Sequence, residues 1–302
     1  MELAREIDYE ALNAQLRELE EKYQGIRVFS IGESVLGRQI PIVTLGAKEA
    51  QKSVLYVATH HASENICTGV LLKFIEEYLL AYQRCGSMCS INISLLHKMR
   101  KIHIVPMLNP DGVEYRLNGL DENNPIRDRI IAYNGGDDFS SWDANARGVD
   151  LNHNYNASFY EYKEIERERG ISNGKKKYSG EFPESEPEVQ SLCNFIRYEA
   201  NELEGILTLH TQGEEIYYQS GRDCPKRSEF LKNTVSRMTG YRLGEAEDTG
   251  AYGGLTDWFI KEYQRPSFTL ECGKGKNPLN PNEATRIYSR LRELLYTFPI
   301  LF

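Results

Sequence analysis

Two histidines and two carboxylates sit in this chain where strands should end and polar chemistry could be built. The stretch ATHHASEN, residues 58–65, closes the apolar run VLYVA and sets His61 and Glu64 three residues apart, where a strand hands over to a helix. His210 ends the run GILTLH, and Glu271 ends SFTLE. Two histidines and one carboxylate make a common catalytic zinc set, with a fourth position left for water. His61, Glu64 and His210 are therefore expected to hold Zn2+, one ion per chain. His60, on the same turn, competes with His61 for the role.

Such groups act together only if ordered elements bring them together, and the period of the apolar residues supplies those elements. Leu12, Leu16, Leu19 and Tyr23 share one face of a helix over 8–23, and IRVFSIGES then runs into a hairpin ending at Gly46. Beyond it the pattern alternates, with strands over 53–59, 102–108, 205–210 and 267–271. Helices are expected over 66–83, 186–199, 225–239 and 282–297. Apolar strands separated by helices predict an α/β fold, a mixed, mostly parallel twisted sheet with helices on both faces. In such sheets ligands collect outside the carboxyl ends of the strands. Four strand ends lead to His61 with Glu64, to Asn109, to His210 and to Glu271, and this joint arrival argues more strongly than any one residue.

Composition sets the bounds. A chain of 302 residues with 40% hydrophobic content can bury a sizeable core, and no linker or repeat divides it, so one catalytic domain over 1–302 is expected. The net charge of −8, with signs interspersed, gives no basic stripe for nucleic acid. The start MELAREIDYE lacks a leader pattern and no run approaches eighteen apolar residues, so the chain reads as cytoplasmic, without a membrane segment. Six cysteines without a CxxC pair read as reduced thiols, Cys85 and Cys89 included. Nothing in the sequence fixes an oligomeric state. The interval 109–183 follows neither period and is rich in Asn, Gly, Asp, Arg and Tyr, as in NPDGVEYRLNG and SNGKKKYSGEFPES; an excursion this long is usually functional.

The run HHASEN resembles the HxxE zinc motif of the zinc metallocarboxypeptidases of the carboxypeptidase A type. It is followed in order by NPDG at 109–112, GVDLN at 148–152, LHTQGEE with His210, GGLTDW at 253–258 and TLECG with Glu271. The resemblance runs from about Tyr9 to the last helix and implies a carboxypeptidase A-like fold. It also implies roles: His61, Glu64 and His210 as zinc ligands, and Glu271 as the general base that passes a proton from water to the leaving amine. Arg147, shortly before GVDLN, lies where an arginine that steadies the oxyanion is sought. Asn152, His153 and Gln212 are expected to contact the substrate, with Gln212 pointing into the cleft. Gly253 and Gly254 are expected to let backbone approach the substrate, whereas KGK at 274–276 reads as a solvated run or an anion-facing rim. Trp142 and Asp143 receive no role.

Departures from the family pattern bear on the substrate. Where ordinary carboxypeptidases carry an arginine that grips the free C-terminal carboxylate, this chain has His153, which lacks both the fixed fork and the permanent charge. The family's mobile tyrosine aligns with Thr249, with Tyr252 the nearest substitute, and the specificity position is Thr256. The phrases WDANARGVDLNHN, LHTQGEEIYY and TLECGKGKNPL are instead similar to the bacterial γ-D-glutamyl-L-diamino acid endopeptidases. That similarity implies a peptide or muropeptide substrate, cut between γ-D-glutamate and meso-diaminopimelate or lysine in a peptidoglycan stem. Alternatives are a carboxypeptidase acting on ordinary peptides, a zinc deacylase of N-acyl amino acids, and a zinc-holding binding module, the last disfavoured by Glu271.

Overall fold

The first helix begins where the Asp8 carboxylate accepts the amide of Ala11, and it buries Leu12, Leu16 and Leu19 on one stripe. The computed structural model describes residues 4–245 and 252–302; Thr249 lies outside the described residues. Among the described residues the helices are α1 (Tyr9–Lys22), α2 (Ile66–Gln83), α3 (Ile93–Met99), α4 (Pro110–Asn118) and α5 (Arg127–Asn134), then α6 (Phe159–Arg169), α7 (Pro187–Glu199), α8 (Lys226–Thr239), α9 (Leu255–Tyr263) and α10 (Glu283–Thr297). The strands are β1 (Ile26–Glu33), β2 (Gln39–Leu45), β3 (Ser53–Ala58), a small ribbon of β4 (Ser87–Met88) and β5 (Ile91–Asn92), then β6 (Lys101–Val105), β7 (Leu203–His210), β8 (Glu215–Tyr217), β9 (Arg242–Leu243) and β10 (Ser267–Glu271).

Eight strands form one sheet in the order β1-β2-β6-β3-β7-β10-β8-β9. The central run β6, β3, β7, β10 is parallel. The hairpin β1–β2 joins it antiparallel on one side, and β8 lies antiparallel to β10 on the other. The fold is thus the mixed α/β sheet expected from the sequence. Within β3, Val54, Tyr56 and Ala58 face one layer with Phe74 of α2 and Leu295 of α10, while Leu55 and Val57 face Leu192 of α7 and Phe259 of α9. Burial on both faces explains why these strands read as unbroken apolar runs. The Tyr56 hydroxyl, deep in the first layer, donates to the Leu295 carbonyl at 2.7 Å. Among the described residues no helix is long and apolar enough to cross a membrane.

The interval 109–183 differs from its description as aperiodic, because it carries α4, α5 and α6. Their apolar stripes are too thin to read: α5 buries only Ile130. Helix α9 escaped notice for another reason. Its nine residues, LTDWFIKEY, bury Leu255, Thr256, Trp258, Phe259 and Ile260, a nearly continuous run without clear helical spacing.

Candidate active site

The site begins where β3 gives out. Thr59 takes a left-handed turn (φ 59°), after which the chain forms a short 3-10 turn, Ala62–Glu64, that carries His61 at its start and Glu64 at its end. Asn109 braces this turn from the neighbouring strand end. Its side-chain amide donates to the carbonyls of His60, Asp143 and Ala144 at 3.0, 3.2 and 3.1 Å, while its oxygen caps α4 through Gly112. Gly112 is required by closeness, since a Cβ there would lie 2.3 Å from the Ala144 carbonyl oxygen. His60 is buried and turned away, sharing a hydrogen bond with the Tyr155 hydroxyl at 2.9 Å, which leaves His61 to face the cleft.

His210 and Glu271 end β7 and β10 as direct register partners in the parallel ladder. Beside them His61 Nδ1 and His210 Nδ1 lie 3.3 Å apart, 3.1 and 2.9 Å respectively from the two oxygens of Glu64. A tetrahedral zinc with bonds of about 2.0–2.1 Å needs ligand atoms about 3.3 Å apart, so the spacing and donor types fit such an ion. His61, Glu64 and His210 are also the only group of three or more potential donors with this convergence among the described residues. The opposite nitrogen of His61, Nε2, donates to Asp150 Oδ1 at 3.0 Å, fixing the tautomer that leaves Nδ1 free as a ligand. Asp150 is fixed in turn by the amides of Asn152 and Lys177, at 3.2 and 3.0 Å. Asp150→Asn is expected to weaken metal binding about 10- to 100-fold, read by competition with a chromophoric chelator. An unchanged affinity would show that Asp150 serves the loop and not His61.

Charge is unevenly spread over the cleft, a cavity of about 310 Å³. Burial alone would raise the Glu64 carboxyl, but His61 and His210 hold it well below the usual carboxylate range. Burial likewise opposes ionisation of Asp150, which the neighbouring His61 and His153 nonetheless keep low. Burial and then the Glu64 carboxylate push Glu271 up to about 8. A divalent cation beside it would draw that value down again. Burial also raises Asp257, up to about 6, with Ser220 and the Gly254 backbone opposing the rise.

Of the residues singled out from sequence, His61, Glu64, His210, Glu271, Asn152, His153 and Thr256 all line this one cleft. Three others do not. Arg147 is held from behind, its amide on Asn145 Oδ1 at 2.9 Å and its half-exposed guanidinium 3.7 Å from Glu186. Gln212 is exposed on the loop after His210 and stands outside the lining, where Gln219 is found instead. Tyr252 acts through its backbone: its carbonyl accepts the Nδ1 proton of His153 at 2.8 Å. The His153 ring stacks on Tyr162 with centroids 4.2 Å apart, and burial lowers its proton affinity, so Nε2 presents an acceptor. Gly253 approaches protein and not open cleft, because a Cβ there would lie 2.6 Å from the His153 carbonyl oxygen.

Sequence reasoning passed over Asp143, Asp257, Lys176 and Lys177, all in the lining. Asp257 stood next to Thr256 in GGLTDW, and the lysines stood in SNGKKKYSG, so the motif and the excursion carried the signal. The loop bearing Asp150 is clamped by Asn145, whose amide donates to Glu186 at 2.7 Å and Glu188 at 3.2 Å. Burial, then the Asp111 and Glu186 charges, push Glu188 up to about 8. From about pH 4.3, where an unfolded glutamate ionises, to about 8, the folded chain keeps a proton that the unfolded chain has lost. Stability attributable to Glu188 is therefore full below that window and falls as pH rises through it, by at most about 1.4 kcal/mol per pH unit. Denaturant unfolding of Glu188→Gln against the parent at pH 5 to 8 is expected to shift steadily in favour of the variant; a constant difference would refute the assignment.

A parallel-centred α/β sheet with a His–Glu–His cluster and a half-buried glutamate at its carboxyl edge defines a metal-dependent hydrolase. Residues 12–293 match the zinc carboxypeptidase family, peptidase family M14, and the chain belongs to it. It is 33% identical over 283 residues, 93% of this chain and 69% of the relative, to γ-D-glutamyl-L-diamino acid endopeptidase 1 of Lysinibacillus sphaericus. It is 31% identical, over 96% of this chain and 76% of the relative, to the uncharacterized protein YqgT of Bacillus subtilis. The crystal structure of carboxypeptidase A from Helicoverpa armigera superposes with a TM-score of 0.73 at 19% identity, covering all of this chain and 74% of that one. The family implies zinc, and the His61–Glu64–His210 group is one that could hold it.

Proposed function

We propose that this chain hydrolyses the γ-D-glutamyl–diamino acid bond of peptidoglycan stem peptides, acting as one catalytic domain with a single zinc held by His61, Glu64 and His210. The observation that carries the reading is His153. Its Nδ1 proton is given to Tyr252 and its ring belongs to the cleft lining with Nε2 left as an acceptor, so it suits a donor on the substrate and gives no grip on a free C-terminal carboxylate. The endopeptidase relative supports the same choice through its own named substrate.

When bound, zinc supplies a polarised scissile carbonyl and lowers the pKa of a bound water from about 15.7 toward about 7. Glu271, aimed into the cleft from the end of β10, takes the proton of the attacking water and delivers it to the nitrogen of the departing diamino acid. The C–N bond breaks, the glutamyl residue keeps the oxygen, and the amine leaves neutral. Asn152, His153 and Thr256 touch the substrate along the cleft wall. Tyr252 acts by holding His153, while Arg147 and Gln212 are given no substrate contact.

The test offers zinc-loaded protein L-Ala-γ-D-Glu-meso-diaminopimelate together with an ordinary α-linked peptide bearing a free C-terminus, with products followed by mass spectrometry. Release of diaminopimelate from the first alone is the expected result. Loss of the C-terminal residue from the second alone would make the protein a carboxypeptidase and the reading of His153 mistaken.

A further inference from the structure

The cleft lining holds five acidic side chains, Glu64, Asp143, Asp150, Asp257 and Glu271, against two lysines, Lys176 and Lys177. Neither arginine position that the family resemblance would favour supplies charge here: His153 stands at one, and Arg147 points to Glu186. The stretch 246–251 outside the described residues contains no lysine or arginine. The two lysines are built into the site and do not merely pass over it. The Lys177 amide bonds Asp150 Oδ2, whose other oxygen takes the His61 ring proton, and the Lys177 carbonyl accepts the Tyr162 hydroxyl at 2.7 Å. Lys177 also adopts a left-handed φ of 70°, a conformation unusual for a side chain of this kind. Just before it, the Lys175 carbonyl accepts the amides of Asp143 and Ala144, both at 2.9 Å, tying the segment to the other wall. Both lysines are exposed residues of the cleft lining, and neither has an ion-pair partner among the described residues.

A γ-linked glutamyl residue leaves its α-carboxylate free, on the same residue as the scissile carbonyl. Apart from Glu64, whose charge a bound zinc would offset, that anion meets the remaining cleft carboxylates, and each like charge at close range opposes it. We infer that Lys176 and Lys177 bind this α-carboxylate and so select a substrate with an anion on the acyl side of the cleaved bond. The inference rests on the proposed function for the identity of the anion, and its placement rests on the segment 175–177.

The experiment separates the two. Metal-loaded Glu271→Gln protein, which should bind without turning over, is titrated calorimetrically with L-Ala-γ-D-Glu-meso-diaminopimelate and with the same peptide carrying an α-carboxamide on the glutamyl residue. Each titration is repeated with Lys176→Gln and Lys177→Gln added, singly and together. The exposed side chains can change without disturbing the backbone bonds that hold the segment. A charge-assisted contact predicts that the double substitution weakens the acid form about 10- to 100-fold and the carboxamide form less than about threefold. Equal weakening of both forms, no weakening of either, or no measurable binding of the acid form overturns the inference. Binding that follows this pattern while the parent protein cleaves only α-linked peptides would leave the lysines' role standing and remove the proposed reaction.

Discussion

Glu271→Gln is expected to lower kcat/KM by about a hundredfold to ten-thousandfold while the protein retains its metal. The substitution keeps the shape of the side chain and removes its capacity to accept and return a proton. Among the described residues the Glu271 carboxylate makes no hydrogen bond that glutamine would break, and its β10 ladder to β7 and β8 is backbone alone, so folding should be little affected. Elemental analysis beside the kinetics decides the matter. Full metal with lost activity places the base at Glu271, whereas activity within about tenfold of the parent would move the proton transfer to another cleft carboxylate, with Asp143 the first to examine.

The second large effect is expected at the ligand cluster. His210→Ala removes one of three converging donors from a site where His210 is buried and stacked on His60 at a centroid distance of 5.2 Å. With two ligands left, bound zinc should fall below about a tenth of the parent level under the same dialysis, and hydrolysis should reach background. Thermal unfolding gives a readout independent of activity. An ion bound only by the folded chain stabilises it by mass action, so a chelator should lower the melting temperature of the parent and leave that of His210→Ala unchanged. Equal chelator sensitivity would mean that the ion sits elsewhere.

The elements with strong periods were legible in advance, and so was the convergence of His61, Glu64 and His210 at their ends. β3, β7 and β10 announced themselves because burial makes them apolar almost throughout; β7 and β10 end on His210 and Glu271, and β3 hands over to the turn that carries His61 and Glu64. The walls of the cleft were less legible because they belong to loops whose shape is set by side-chain brackets distant in sequence. Asn109 reaching the 143–144 carbonyls, and Asn145 held by Glu186 and Glu188, leave no periodic trace. Arg147 shows how little distance from a motif says about placement: its amide bonds Asn145, its guanidinium lies 3.7 Å from Glu186, and it stands outside the cleft lining. Lysine side chains present the same difficulty from the other side, since a run such as KKK gives no sign of which members a left-handed turn will aim inward.

The register pairing of His210 with Glu271 separates what this protein can change from what it cannot. The proposed ligand and the proposed base, on one rung of a hydrogen-bonded ladder, keep their spacing without help from any loop, and the Cys272 amide bonded to the His210 carbonyl at 2.7 Å locks the pair just past that rung. Slippage of β10 by a single residue would carry Glu271 through the sheet to its opposite side. The reactive core is thus inherited from the strands as a rigid gauge, while the segments bearing Asn152, His153, Lys176, Lys177 and Thr256 can be re-cut to suit a different peptide without altering the gauge.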